Sequence, residues 1–126
     1  MRDAPNPAPP PDDTAPDALE VTTLIAGDGP GATAGDQLVV HYVGKLADGS
    51  VFDESWGRGE PFAVPVGQGM VIAGWDQGLV GAQAGERRRL VIGHALAYGE
   101  YGTPDGTIPP RAPLVFEVDV LELLPG

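Results

Sequence analysis

Residues 67–80, GQGMVIAGWDQGLV, decide the fold. Met70 to Trp75 is an apolar run broken only by Gly74, and Gly67, Gly69 and Gly78 fence it. Trp75 and Leu79 stand four residues apart, which predicts one face of a short helix. Gly78 costs such a helix about 1 kcal/mol relative to alanine, so packing must hold it. Val71, Ile72 and Trp75 form a greasy surface. The backbone beside Gly69 and Gly74 is open to close approach by a ligand, because glycine has no Cβ. The stretch reads as the floor and one wall of a small apolar pocket, and the rest of the chain must supply the surrounding sheet.

Working outward, Asp36–Leu46 is the clearest strand. Leu38, Val40, Tyr42 and Leu46 share one parity, and Val39, His41, Val43 and Lys45 the other, so both faces are partly apolar. Asp48-Gly49 is a hairpin signal that returns the chain through Val51, Phe52 and Asp53. SWGRGE, from Ser55, reads as a bulge or loop, and PFAVPV, from Pro61, as a strand whose prolines suit an edge or end. LEVTTLI from Leu19 and ERRRLVI from Glu86 are further strands. LVFEVDVLELL, from Leu114, alternates Phe116, Val118 and Val120 with Glu117 and Asp119 until the pattern slips near Leu121, which predicts a bulge. Gly93 to Ala112 is a long connection with three prolines and two tyrosines; long ordered loops are often functional. The expected fold class is α+β: five or six antiparallel strands in a curved sheet wrapped over one short helix.

Residues 1–17, MRDAPNPAPPPDDTAPD, read as a disordered tail, and residues 18–126 as a single domain. Six of the fourteen prolines and four acids lie in this leader, with almost nothing to bury. It is read as a solubilising leader, with a partner ligand as the alternative. Across all 126 residues the net charge of −11 excludes a nucleic-acid binder, since phosphate neutralisation needs clustered Lys and Arg. No apolar run approaches the roughly 20 residues that span a bilayer. There is no cysteine, hence no disulfide framework and no thiolate chemistry. No apolar segment of a secretory signal follows the first arginine, so a cytoplasmic location is expected.

Hydrolytic chemistry finds no support. The only serines, Ser50 and Ser55, lack a nucleophile-elbow context, and the two histidines, His41 and His94, are placed mid-strand and at a loop entrance. Nor do they form a metal set with the carboxylates. GDGPG, from Gly27, lacks a following helix and is a turn rather than a phosphate loop. What remains is an apolar set, Tyr42, Phe52, Phe62, Val71, Ile72, Trp75, Tyr98 and Phe116. Asp53 follows Phe52 directly, a carboxylate near apolar residues needs a partner, and Arg58 is within reach. An apolar pocket with a few polar groups at its rim is the general form of a small-ligand site.

The motifs VVHYVGKLADGSVFDES (39–55), PFAVPVGQGMVIAGWDQGLVG (61–81), GERRRLVI (85–92), LAYGEYG (96–102), IPP (108–110) and LVFEVDVLEL (114–123) stand in that order. With them the chain closely resembles the FKBP-type peptidyl-prolyl cis-trans isomerases of the minimal single-domain kind, from about Leu19 to Leu124. The resemblance implies a half-barrel sheet around a short helix, no metal and no cofactor. It implies catalytic roles for Tyr42, Phe52, Asp53, Tyr98 and Phe116, and substrate binding by Phe62, Val71, Ile72, Trp75 and Ile108. Trp75 would be the floor, the Ile72 N–H and the Tyr98 hydroxyl would donate to a ligand carbonyl, and Ile108 would belong to a loop closing over one side. The implied partners are proline-containing peptides and unfolded proteins, with macrolides in the same pocket, and the implied state is a monomer. A module that binds proline peptides or macrolides with little turnover is the alternative. Two departures, Gly93-His94-Ala95 where many relatives have prolines and the length of 103–107, both fall in the loop after Ile92.

Overall fold

The computed structural model describes residues 4–126. Its strands are β1 (Leu19–Ile25), β2 (Gln37–Leu46), β3 (Val51–Glu54), β4 (Phe62–Pro65), β5 (Arg87–Ile92) and β6 (Leu114–Leu124), with one α-helix, α1 (Ala73–Gly78). They form one six-stranded antiparallel sheet in the order β1-β5-β6-β2-β3, and β4 also pairs with β2. β3 and β4 share one edge of β2: β3 pairs with Val43 to Lys45, and β4 with Gln37 to Val40.

Alternation assigns the two faces. Leu38, Val40 and Tyr42 of β2, Leu90 and Ile92 of β5, and Leu114, Phe116, Val118 and Val120 of β6 are buried together with Trp75 and Leu79 of the helix segment. The slip near Leu121 is a bulge: Val39 pairs with Glu122 and Val40 with Val120, leaving Leu121 unpaired.

The helix lies close to β5 because two of its residues are glycines. A Cβ on Gly74 would come within 2.5 Å of the Ile92 side chain, and one on Gly78 within 2.9 Å of Leu90. This corrects the ligand-side reading of Gly74, whose missing side chain admits the sheet instead. What Gly78 loses in propensity is offset by that approach. The end of the helix is also held: the Arg88 guanidinium donates to the carbonyls of Gly78 and Val80, both at 2.9 Å. Arg88 is itself paired with Glu86 at 2.8 Å, and both are buried. Glu86 also accepts from Thr23 and from the Gln83 N–H.

The leader differs from its sequence reading. Residues 1–3 lie outside the described residues. Of residues 4–17, Pro5, Pro7 and Pro10 are buried, so this part does have something to bury.

Candidate functional site

Nine of the ten residues nominated from sequence line one cavity of about 230 Å³: Tyr42, Phe52, Asp53, Phe62, Val71, Ile72, Trp75, Tyr98 and Phe116. The tenth, Ile108, is buried and lines an adjoining groove with Phe52, Asp53 and Tyr98. Met70, which the sequence reading left out of the site, joins the lining while remaining largely exposed.

The floor is an aromatic cluster. Trp75 meets Tyr42 edge-on at 5.1 Å between centroids and Phe116 at 5.2 Å, and Phe52 meets Phe116 at 5.4 Å. These tilts suit rings with negative faces and positive edges. The arrangement depends on Gly44, on the same face of β2 as Tyr42. A Cβ there would stand 2.7 Å from Phe52 and 2.8 Å from Phe116. A lone glycine in a strand signals a close approach, but its neighbours are set by pairing with β6 and β3.

Among the described residues one charged side chain lines the pocket, and it is engaged. Asp53 accepts from the Tyr42 hydroxyl at 2.7 Å and from Arg58 at 2.9 Å, and Arg58 also donates to the Tyr42 oxygen at 3.0 Å. The guanidinium carbon lies 5.7 Å from the Tyr42 ring centroid. Burial pushes the Tyr42 phenol above its ordinary value; the bond from Arg58 opposes the rise and Asp53 adds to it. Bonding to Tyr42 and Asp53 raises Arg58 in turn. Tyr98 is raised by burial first and by the charge of Asp53 second. Both phenols are therefore protonated donors throughout the neutral range.

Ile72 sits at the N-cap of α1, and its carbonyl accepts from the Trp75 and Asp76 N–H groups. The preceding loop is pinned by Asp76, which accepts from Gly67 N–H at 3.1 Å and Gly69 N–H at 2.8 Å. Gly67 and Gly69 both adopt positive φ, which glycine supplies without strain. Asp76 thus fixes the wall that carries Val71 and Ile72. Sequence reading missed it; the signal was a carboxylate in the first helical turn after a glycine-rich loop.

The histidines stand away from this chemistry. His41 stacks on Trp56 at 4.2 Å and meets Ser55 Oγ at 2.8 Å, on the other face of β2. His94, at the loop entrance, has its side chain mostly covered and lies 3.6 Å from Glu100. Among the described residues no group of three or more His, Cys, Asp or Glu is placed to hold a metal. Among the described residues no helix is long and apolar enough to cross a membrane.

The family profile of FKBP-type peptidyl-prolyl cis-trans isomerase matches residues 29–121. The chain belongs to the FKBP family. Over 90 residues it is 53% identical to peptidyl-prolyl cis-trans isomerase FKBP15-2 of Arabidopsis thaliana, covering 71% of this chain and 55% of that protein. Over 104 residues it is 45% identical to an FK506-binding protein of Streptomyces anulatus, covering 82% and 84%. The chain thus spans about half the length of the Arabidopsis relative. The crystal structure of AtFKBP13 superposes with a TM-score of 0.77 at 38% identity, over 86% of this chain and 95% of that one.

Proposed function

We propose that this chain is a peptidyl-prolyl cis-trans isomerase that turns X–Pro bonds in the pocket above Trp75. The observation that carries the reading is the composition of that cavity: apolar and aromatic walls, two phenols, and a single carboxylate already bonded by Tyr42 and Arg58. A site of this kind has little to offer proton transfer, but it suits a reaction in which no covalent bond breaks.

The barrier to rotation about an X–Pro bond is about 18–20 kcal/mol and comes from amide resonance. In the twisted transition state that resonance is lost, the carbonyl carries less negative charge and the prolyl nitrogen becomes more pyramidal. A water-poor pocket favours the twisted amide over the planar one. Each ~1.4 kcal/mol gained selectively there gives tenfold in rate. In this assignment Trp75, Phe62, Val71 and Phe116 hold the proline ring. The Ile72 N–H and the Tyr98 hydroxyl anchor the peptide, with Ile108 on the closing loop. Phe52 and Tyr42 shape the side on which the amide turns, and Asp53 tunes the local field. A role in protein folding, with unfolded proteins as substrates, macrolides as ligands of the same pocket, and a cytoplasmic monomer as the working form are the finer parts of the reading.

The test is a protease-coupled isomerisation assay with a Leu-Pro or Phe-Pro peptide, with and without a macrolide competitor. Acceleration that the competitor suppresses is the expected result. Peptide or macrolide binding without acceleration makes the chain a binding module instead. Asp53→Val is expected to lower turnover in the folded protein; full activity in that variant contradicts the assignment of Asp53.

A further inference from the structure

Three strands present a small grid on the face away from the pocket. Strand pairing gives the rows Arg87, Asp119 and His41; Arg89, Glu117 and Val43; and Val91, Val115 and Lys45. Val43, Val91 and Val115 are buried although they point away from the core. Residues 6–8 are anchored on this face. Lys45 Nζ donates to the Asn6 side chain at 2.8 Å, Arg89 donates to the Ala8 carbonyl at 3.2 Å, and Pro5, Pro7 and Pro10 are buried. Proline suits such a covering, since it brings no N–H to satisfy and loses little freedom on docking.

The segment then reaches the root of the loop that carries Tyr98. Thr14 turns back on the Pro11 carbonyl. Ala95 N–H donates to the Pro16 carbonyl and Gly93 N–H to the Ala18 carbonyl, both at 2.8 Å. A Cβ on Gly93 would collide with the carbonyls of Ala15 and Pro16. Gly93 and Ala95 begin the 3₁₀ turn His94–Leu96, whose His94 carbonyl accepts from Ala97 and Gly99 on either side of Tyr98. Proline at 93 or 95 would remove a donor to the leader.

From this seating we infer that residues 4–18 are a strap that positions the Tyr98 loop, so that turnover depends on a segment outside the family-matched residues 29–121; the turnover part of this rests on the isomerase reading. The strap acts through the loop root and touches no reacting atom.

Two variants of the full chain test it. Gly93→Ala leaves its own backbone unstrained, since φ is −70°, and its nearest clashes are with the strap. Deletion of residues 2–13 removes the prolines that cover the outer face. Amide hydrogen exchange at Ala95, Ala97 and Gly99 is expected to rise about tenfold in both, the scale of one backbone hydrogen bond. Exchange in β2 and β6 stays put, and kcat/KM falls about three- to tenfold well below the melting temperature. Loop-root exchange and kcat/KM both within twofold of the parent overturn the proposal. So does protection lost evenly through β2 and β6, which makes the segment a general stabiliser only. Exchange reads the strap even in a chain without turnover: no turnover in the parent refutes the isomerase reading and leaves the loop-root exchange to decide whether the strap holds the loop.

Discussion

On the inner side of β2, β5 and β6 stand Tyr42, Leu90, Ile92, Phe116 and Val118, packed on Trp75. On the outer side of the same strands stand His41, Lys45, Arg87, Arg89, Glu117 and Asp119, with three valines among them. The inner face is covered by a helix that comes close because it carries glycines. The outer face is crossed by an extended proline segment that hydrogen-bonds to long cationic side chains. The inner covering is made of large apolar contacts and forms the pocket. The outer one rests on small rigid rings and a few polar anchors, and reaches the pocket only through the Tyr98 loop. Core and pocket therefore coincide on one face and separate on the other.

The sharpest way to break this contrast is Trp75→Ala, which is expected to cost about 3–5 kcal/mol in urea unfolding and to abolish isomerase turnover together. A stable Trp75→Ala protein would show that the inner core does not depend on the pocket floor. Next comes Arg88→Ala, at about 3 kcal/mol, because it strands the buried Glu86 and frees two carbonyls at the helix end. Glu86 gives this a pH signature. Burial pushes its carboxyl up, but the bonds from Arg88, Gln83 and Thr23 outweigh it and the net value is lowered. The stability it confers is thus complete above the ordinary glutamate value and lost as pH falls through the lowered one. Unfolding midpoints between neutral and acidic pH should show that loss in the parent and lack it in Glu86→Gln.

Gly44→Ala is expected to cost about 1–3 kcal/mol, the range for overpacking, and to shift Phe52 or Phe116 into the pocket. Its turnover should fall further than its stability explains. Tyr98→Phe should leave stability within about 0.5 kcal/mol. It should lower kcat/KM about three- to tenfold by removing one hydrogen-bond donor. Lys45→Ala on the outer face is expected to be the smallest: its bond to Asn6 is exposed, and both stability and turnover should stay near the parent's.

The strands were legible because Leu38, Val40 and Tyr42, or Phe116, Val118 and Val120, repeat with period two. The bulge at Leu121 was visible as a slip in that same pattern. The aromatic members of the site were legible because few residues of their size are present and they cluster in motifs. Gly44 and Gly74 were not, since what a Cβ would meet there belongs to side chains of other strands. The contacts of the leader escaped the sequence for a related reason. Its composition reports only what it brings to the contact, whereas the valines it covers alternate with charges in β2, β5 and β6. Asp76 escaped because its partners are backbone N–H groups, which every residue but proline has.

The shared edge of β2 has a consequence for how such a site varies. β3 and β4 take their registers from different stretches of β2, and the Ser55 N–H bond to the Tyr42 carbonyl closes the first stretch before the chain leaves the sheet. The exposed residues 57–60, Arg58 among them, hang between two independently anchored ends. Insertions or exchanges there alter the reach and charge of one lip of the pocket without moving a single strand pair, which makes this short arm the natural port for grafting new selectivity onto an unchanged frame.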